Sequence, residues 1–225
     1  MKGGSILKSI EYLNHILIRI LNLVYVNFLW VFFTLIGLGV FGIGPSTYAL
    51  VSVCRQWILG KRPPVFQTFW KYYKESFKES IIVSFVYAII GFVLVVDLMH
   101  VVNWYIRVAL IIVCFIYLLS LTYIYPIMAQ YDWKGIFFKI RMSFLFGFAH
   151  LQYSLVLFLF IGLSYWILTR FLPGVLPFFG ISFLFFTITW MANQVFKRME
   201  MKEQFNSDQI IKENQDEKNA SFEVS

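Results

Sequence analysis

Apolar residues run through this chain in long blocks, and the charged residues fall between them. No Lys, Arg, Asp or Glu occurs in the 35 residues between Arg19 and Arg55, the 24 between Arg107 and Asp132, the 28 between Arg141 and Arg170, or the 26 between Arg170 and Lys197. A helix needs about 20 residues to cross hydrocarbon, so each block is long enough. Residues 80–96 form a further block of 17, at the short limit. The blocks are apolar on all sides, whereas barrel strands would be about 10 residues long and alternate. A helix also satisfies its own backbone in lipid. The pattern predicts an all-α, polytopic membrane protein.

Local signals divide the blocks into elements. Ile6, Ile10, Leu13, Leu17 and Ile20 fall at helical spacing opposite Lys8, Glu11, His15 and Arg19, which predicts an interfacial helix over 6–20. An inserted helix follows over 21–41. Gly42-Ile-Gly44-Pro45 predicts a break, with Ser46 as N-cap of a short helix over 46–59 that stops at Gly60-Lys-Arg-Pro-Pro64. Phe66, Phe69, Trp70, Tyr73 and Phe77 share one face of a helix over 66–79, against a stripe of Gln67, Lys71, Lys74 and Lys78. This predicts an elbow on the inner leaflet, with lysines among anionic headgroups; docking on a partner helix is the rival reading. Inserted helices are expected over 80–96, 108–125, 142–169 and 178–196. A second basic elbow is expected over 132–141, carrying Asp132, Trp133, Lys134, Phe137, Lys139 and Arg141. Residues 1–196 thus form one membrane domain, and 197–225 a polar cytoplasmic tail, mostly disordered. Ser84 with Ala88, and Ser143 with Gly147, are small residues four apart that let helices approach closely.

Charge refines the topology. The net charge of +7 resembles a nucleic-acid signal. The basic residues instead flank apolar blocks, and no basic face is free of the membrane, so a nucleic-acid partner is not expected. With six inserted helices in three hairpins, 17 Lys and Arg lie inside and two outside, Arg107 and Arg170. That arrangement puts the Gly-Pro corner outside, the elbow inside and both termini in the cytoplasm. With five crossings the division is 14 to five. The positive-inside rule favours six. Helix 46–59 is then a short crossing or a re-entrant segment. The first block is too long for a signal peptide and is expected to stay in the mature chain.

Few side chains could carry chemistry. His150 is the lone ionisable residue within a predicted span, two before Gln152. It is either a proton or ligand site or a histidine bonding a neighbouring helix. Asn27 and Asn193 either line a substrate path or bond between helices. Cys54 and Cys114 stand in apolar stretches as ordinary buried thiols. No metal, cofactor or catalytic motif is present, and general acid–base chemistry lacks its reagents. An enzyme is not expected.

Three segments carry a family likeness. They are Tyr25-Val-Asn-Phe-Leu-Trp30, then Gly37-Leu-Gly-Val-Phe-Gly-Ile-Gly-Pro-Ser-Thr-Tyr-Ala49 with Arg55-Gln-Trp57, and Phe66-Gln-Thr-Phe-Trp-Lys-Tyr-Tyr-Lys-Glu-Ser-Phe77. Asn27, Trp30, Gly42, Gly44, Pro45 and the elbow resemble the YesL family of bacterial membrane proteins, a domain of unknown function. Ser46-Thr47 departs from the small Ala and Thr usual after that proline. The resemblance implies a bacterial plasma membrane. Members are often encoded beside carbohydrate uptake systems, which implies an accessory or regulatory role near a sugar transporter. A small transporter or channel is the alternative, since discontinuous helices build substrate sites.

Overall fold

The computed structural model describes residues 3–131, 133 and 135–223, so the expectations for Asp132 and Lys134 lie outside the described residues. The described residues hold helices and no strand: α1 (Gly3–Ile36), α2 (Val40–Ile58), α3 (Val65–Glu75), α4 (Phe77–His100), α5 (Trp104–Gln130), α6 (Ile136–Ala149), α7 (Leu151–Phe171), a 3-10 turn (Pro173–Val175) and α8 (Leu176–Glu223). Among the described residues, five segments are long and apolar enough to cross a bilayer: Glu11–Ile36, Phe77–His100, Trp104–Gln130, Leu151–Phe171 and Pro173–Ser207. Helix α2 is not among them.

Several boundaries move from where the pattern put them. Residues 6–20 are not a separate interfacial helix; they continue into α1, because no Gly or Pro stands between the two blocks. Of the face expected over 6–20, the side chains of residues 6–10 and 15 lie outside the described ones. The chain turns at Gly37–Gly39, not at Gly44. Leu38 and Gly39 take positive φ values of 57° and 74° there. The amides of Gly37, Leu38 and Gly39 cap the carbonyls of Phe33, Leu35 and Thr34. Pro45 lies inside α2, where it removes one bond near the helix start. Pro126 likewise lies inside α5, which runs on to Gln130. The span expected over 142–169 is broken at His150 (φ −122°, ψ 35°), dividing α6 from α7. The tail expected to be disordered continues α8 to Glu223; its Lys, Glu, Gln and Ala are good helix formers.

Helix α2 is the hub, touching α1, α3, α4, α5 and α8. Val26, Leu29 and Phe33 of α1 pack with Ala49, Leu50 and Val53 of α2 and with Phe69 and Tyr73 of α3. On its other side, Tyr48 and Val51 meet Val83, Tyr87, Ile124, Tyr125 and Met128. A third cluster joins Tyr123 and Ile127 of α5 to Phe146 of α6 and Ala192, Val195 and Phe196 of α8. Glycine permits the close approaches at the hub. A Cβ on Gly42 would lie 2.8 Å from Thr34 Cα, and one on Gly44 would overlap Ser84 Oγ and the Ser80 carbonyl.

The α3 elbow is correspondingly not a helix resting on lipid alone. Its aromatic face closes around Phe33, whose ring centre lies 5.3 Å from Phe69, 5.3 Å from Trp70 and 5.0 Å from Tyr73. The Tyr73 hydroxyl donates to the Phe33 carbonyl at 3.4 Å. Together with the Gly44–Ser80 contact, this seats the α3–α4 elbow beside the 37–39 corner. The six-helix expectation separates corner and elbow by the length of α2, which is about 28 Å for its 19 residues. Instead α3 folds back along α2 and the two are neighbours.

Candidate functional site

Buried polar side chains concentrate where helices meet. The Tyr87 hydroxyl lies 2.5 Å from Ser120 Oγ and 3.1 Å from Ser143 Oγ, and these two are 2.7 Å apart, tying α4, α5 and α6 together. Ser84 Oγ meets the Tyr125 hydroxyl at 2.8 Å, and Tyr123 meets Ser154 Oγ at 3.1 Å. The Tyr117 hydroxyl donates to the Tyr87 carbonyl at 2.9 Å, in space left by Gly91. Ser84, Ser143 and Gly147 were marked in the sequence by small-residue spacing, and Gly147 does pack on Leu119. Tyr87 and Ser120 were not marked; a tyrosine three residues from a serine within an apolar block was the available signal.

The predicted site residues fall in separate places. Asn27 is buried on α1; its Nδ2 donates to the Pro177 carbonyl at 3.0 Å, and its Oδ1 accepts from the Ser182 amide at 3.2 Å. Trp30 Nε1 donates to Thr47 Oγ1 at 3.1 Å, joining α1 to α2. Asn193 is 5% exposed on α8, and its Nδ2 has no hydrogen-bond partner. It stands 11 residues beyond Ser182, about 16 Å along the helix, so the two asparagines do not share a site. His150 lies at the α6–α7 break, just outside the α7 span, and Gln152 is exposed. The His150 ring lies 6.3 Å from Phe146 and 6.1 Å from Tyr153. Burial lowers its pKa from 6.5; a Phe146 backbone hydrogen bond opposes this, and the Lys202 cation adds to it. Cys54 is buried and Cys114 half-buried, both free.

Charged groups occupy one end of the hub. Arg55 Nε donates to Gln130 Oε1 at 2.7 Å, and Gln130 Nε2 to Glu200 Oε1 at 3.5 Å, linking α2, α5 and α8. Lys139 does not extend to headgroups as expected of a basic elbow. It is 5% exposed and pairs with Glu79 at 2.7 Å, because α6 packs back toward α4 and buries it. Trp70, Lys71, Lys74 and Lys78 keep an outward aspect on α3 and the start of α4. Lys74 Nζ lies 4.2 Å from the centre of the Trp70 ring. Beside them is an open depression of about 590 Å³, lined by Tyr73, Lys74, Glu75, Phe77, Lys78 and Glu79. Among the described residues, no three His, Cys, Asp or Glu gather as metal ligands.

These features lie largely in a segment with relatives. Residues 23–98, from mid α1 almost to the end of α4, match the family model described as "Protein of unknown function, DUF624". The chain is 39% identical over 171 residues to the uncharacterized protein YteU of Bacillus subtilis (strain 168), covering 73% of this chain and 76% of that protein. It is 29% identical over 204 residues to the uncharacterized protein YesL of the same organism, covering 85% and 93%. The uncharacterized protein YesV matches at 24% over 188 residues, 80% and 89% of the two chains. No solved structure matches.

Proposed function

Since the chain belongs to the YesL-like family of proteins of unknown function, matched by the DUF624 model, we propose that it is a non-enzymatic accessory component of a carbohydrate uptake system. It sits in the bacterial plasma membrane with the α3–α4 elbow and the C-terminus on the cytoplasmic face, five crossings leaving the N-terminus outside. The observation that carries the reading is the use of its buried and half-buried polar groups. Asn27, Trp30, Tyr87, Ser120, Ser143, Arg55 and Lys139 are spent on holding helices together. That is the economy of a rigid membrane body with partners, not of a reaction centre. The sugar setting comes from the neighbourhoods in which members of this family are often encoded. Its partners are then the membrane subunits of the transporter, with anionic lipids around the basic flanks. The test is purification of the tagged full chain from membranes in mild detergent. Co-elution of sugar-transporter subunits, with impaired sugar uptake on deletion, is expected. A chain that elutes alone and whose deletion leaves uptake intact ends the proposal.

One observation favours a second reading, a small solute transporter. The hydroxyls of Ser46 on α2 and of Thr34 and Ser80 beside it have no hydrogen-bond partner although they are buried. Buried polar groups without partners are costly and mark functional paths in membranes. Solute flux into liposomes holding only the purified chain would establish it, and tight liposomes would end it.

A further inference from the structure

We propose that the depression at the α3–α4 elbow is a binding site for one anionic phospholipid, its phosphodiester held by Lys74 and Lys78 and its acyl root resting on Phe77. This stands independently of the accessory role.

The argument begins with charge. Lys74, Glu75, Lys78 and Glu79 all line the depression, which is nominally neutral. Glu79, however, is engaged by the buried Lys139 at 2.7 Å. A third element, α6, thereby removes one carboxylate from the balance and leaves two cations against Glu75. Lys71 adds a further positive charge on the same stripe. Lys74 is also held in place, its ammonium 4.2 Å over the Trp70 ring. The surroundings then select the anion. A charged stripe on a body this apolar stands at the headgroup level, since neither lysine nor glutamate is tolerated in hydrocarbon. Phe66, Trp70 and Phe77 remain partly exposed next to it, although Phe69 and Tyr73 are spent on α1 and α2. An exposed aromatic edge beside paired lysines matches a phosphate that carries chains, and a free phosphate would leave that edge in water.

The experiment is native mass spectrometry of the full chain with added phosphatidylglycerol or phosphatidylcholine. The intact protein is expected to retain phosphatidylglycerol in preference, and equal retention of the two lipids overturns the site whatever the variants do. Lys74→Gln with Lys78→Gln should weaken phosphatidylglycerol retention roughly thirtyfold. Lys74→Arg with Lys78→Arg should preserve it. Lys61→Gln with Arg62→Gln, in the exposed turn before α3, should change it less than about threefold. A drop as large in that control shows general attraction to the basic surface and overturns the proposal. Inorganic phosphate at millimolar concentration should leave the lipid bound; full displacement assigns the lysines to a free anion instead.

Discussion

Helices α2 and α7 are similar in length, 19 and 21 residues, and both are apolar. Their fates differ. In α2 twelve residues are buried, Gly42 and everything from Gly44 to Cys54. In α7 only Ser154 and Leu157 are, and Leu159, Phe160, Leu163 and Trp166 face outward. Hydrophobicity cannot explain this, because in lipid an apolar side chain gains little by leaving one hydrocarbon for another. What separates the two is size. The buried helix carries Gly42, Gly44, Ser46, Thr47, Ala49 and Ser52, which let other backbones touch it. The outer one carries large side chains that fit against acyl chains. In this protein small residues, rather than apolar ones, mark the interior.

The most direct way to break that contrast is to enlarge one glycine on each helix. Gly44→Leu must displace Ser84 Oγ and the Ser80 carbonyl, and the carbonyl cannot yield without moving α4. A cost of about 3 kcal/mol or more is expected, seen as a collapse of the tryptophan-fluorescence melting transition in detergent. Gly162→Leu on α7 has open space around it and should melt within a degree or two of the parent. Equal effects at the two positions would mean that both helices are packed alike. The next largest effect tests whether the hub is locked by charge as well as by shape. Glu79→Gln leaves Lys139 buried without its counter-ion. A loss of about 2–3 kcal/mol is expected, toward the low end for a buried pair because Glu79 is itself 30% exposed. Glu79→Gln with Lys139→Met should recover most of it.

Much of this fold could be read from the sequence, and the failures share a cause. Charge-poor blocks located all the spans, since burial of charge in lipid is costly wherever it occurs. The Gly-Pro segment was recognised as unusual, but its glycines were assigned to a chain break. They serve close packing inside α2, and the turn falls at Gly37–Gly39. Proline alone could not distinguish these, because one missing hydrogen bond is tolerated near a helix start. The elbow's periodicity was correct, whereas what its aromatic face covers depends on Phe33, a residue 40 positions away from Tyr73. Lys139 looked like a headgroup anchor because its partner, Glu79, is 60 positions distant. Local pattern gave the helices; long-range pairing decided which faces met protein and which met lipid.

A smaller effect probes the first turns of α8. Asn27 holds the first turns of α8 against α1, and Asn27→Leu would remove a second donor from the Pro177 carbonyl and an acceptor from the Ser182 amide. A cost of about 1–2 kcal/mol follows, and cross-linking between cysteines placed at Phe28 and Phe178, whose rings are 6.0 Å apart in the parent, should slow. If stability and cross-linking are unchanged, α8 is held by its lower half alone, where Val195 and Phe196 pack on α5 and α6.

The weakest effect is expected at the joint between the packed core and α7. His150 holds less proton affinity in the fold than its ordinary 6.5, chiefly because burial disfavours the cation, with Lys202 pressing the same way. Arg198 lies over the Tyr153 ring nearby, so α8 presents cations to this joint. The unfolded chain therefore takes up a proton first as pH falls. Stability contributed by neutral His150 is complete above about 6.5 and drains away as pH drops toward its lowered folded value. The melting temperature should consequently decline between pH 7.5 and 5.5, and His150→Phe should flatten that decline. The histidine is half-exposed, so the slope will be shallower than any effect at the hub. An unchanged slope in the variant would leave the α6–α7 joint indifferent to protons.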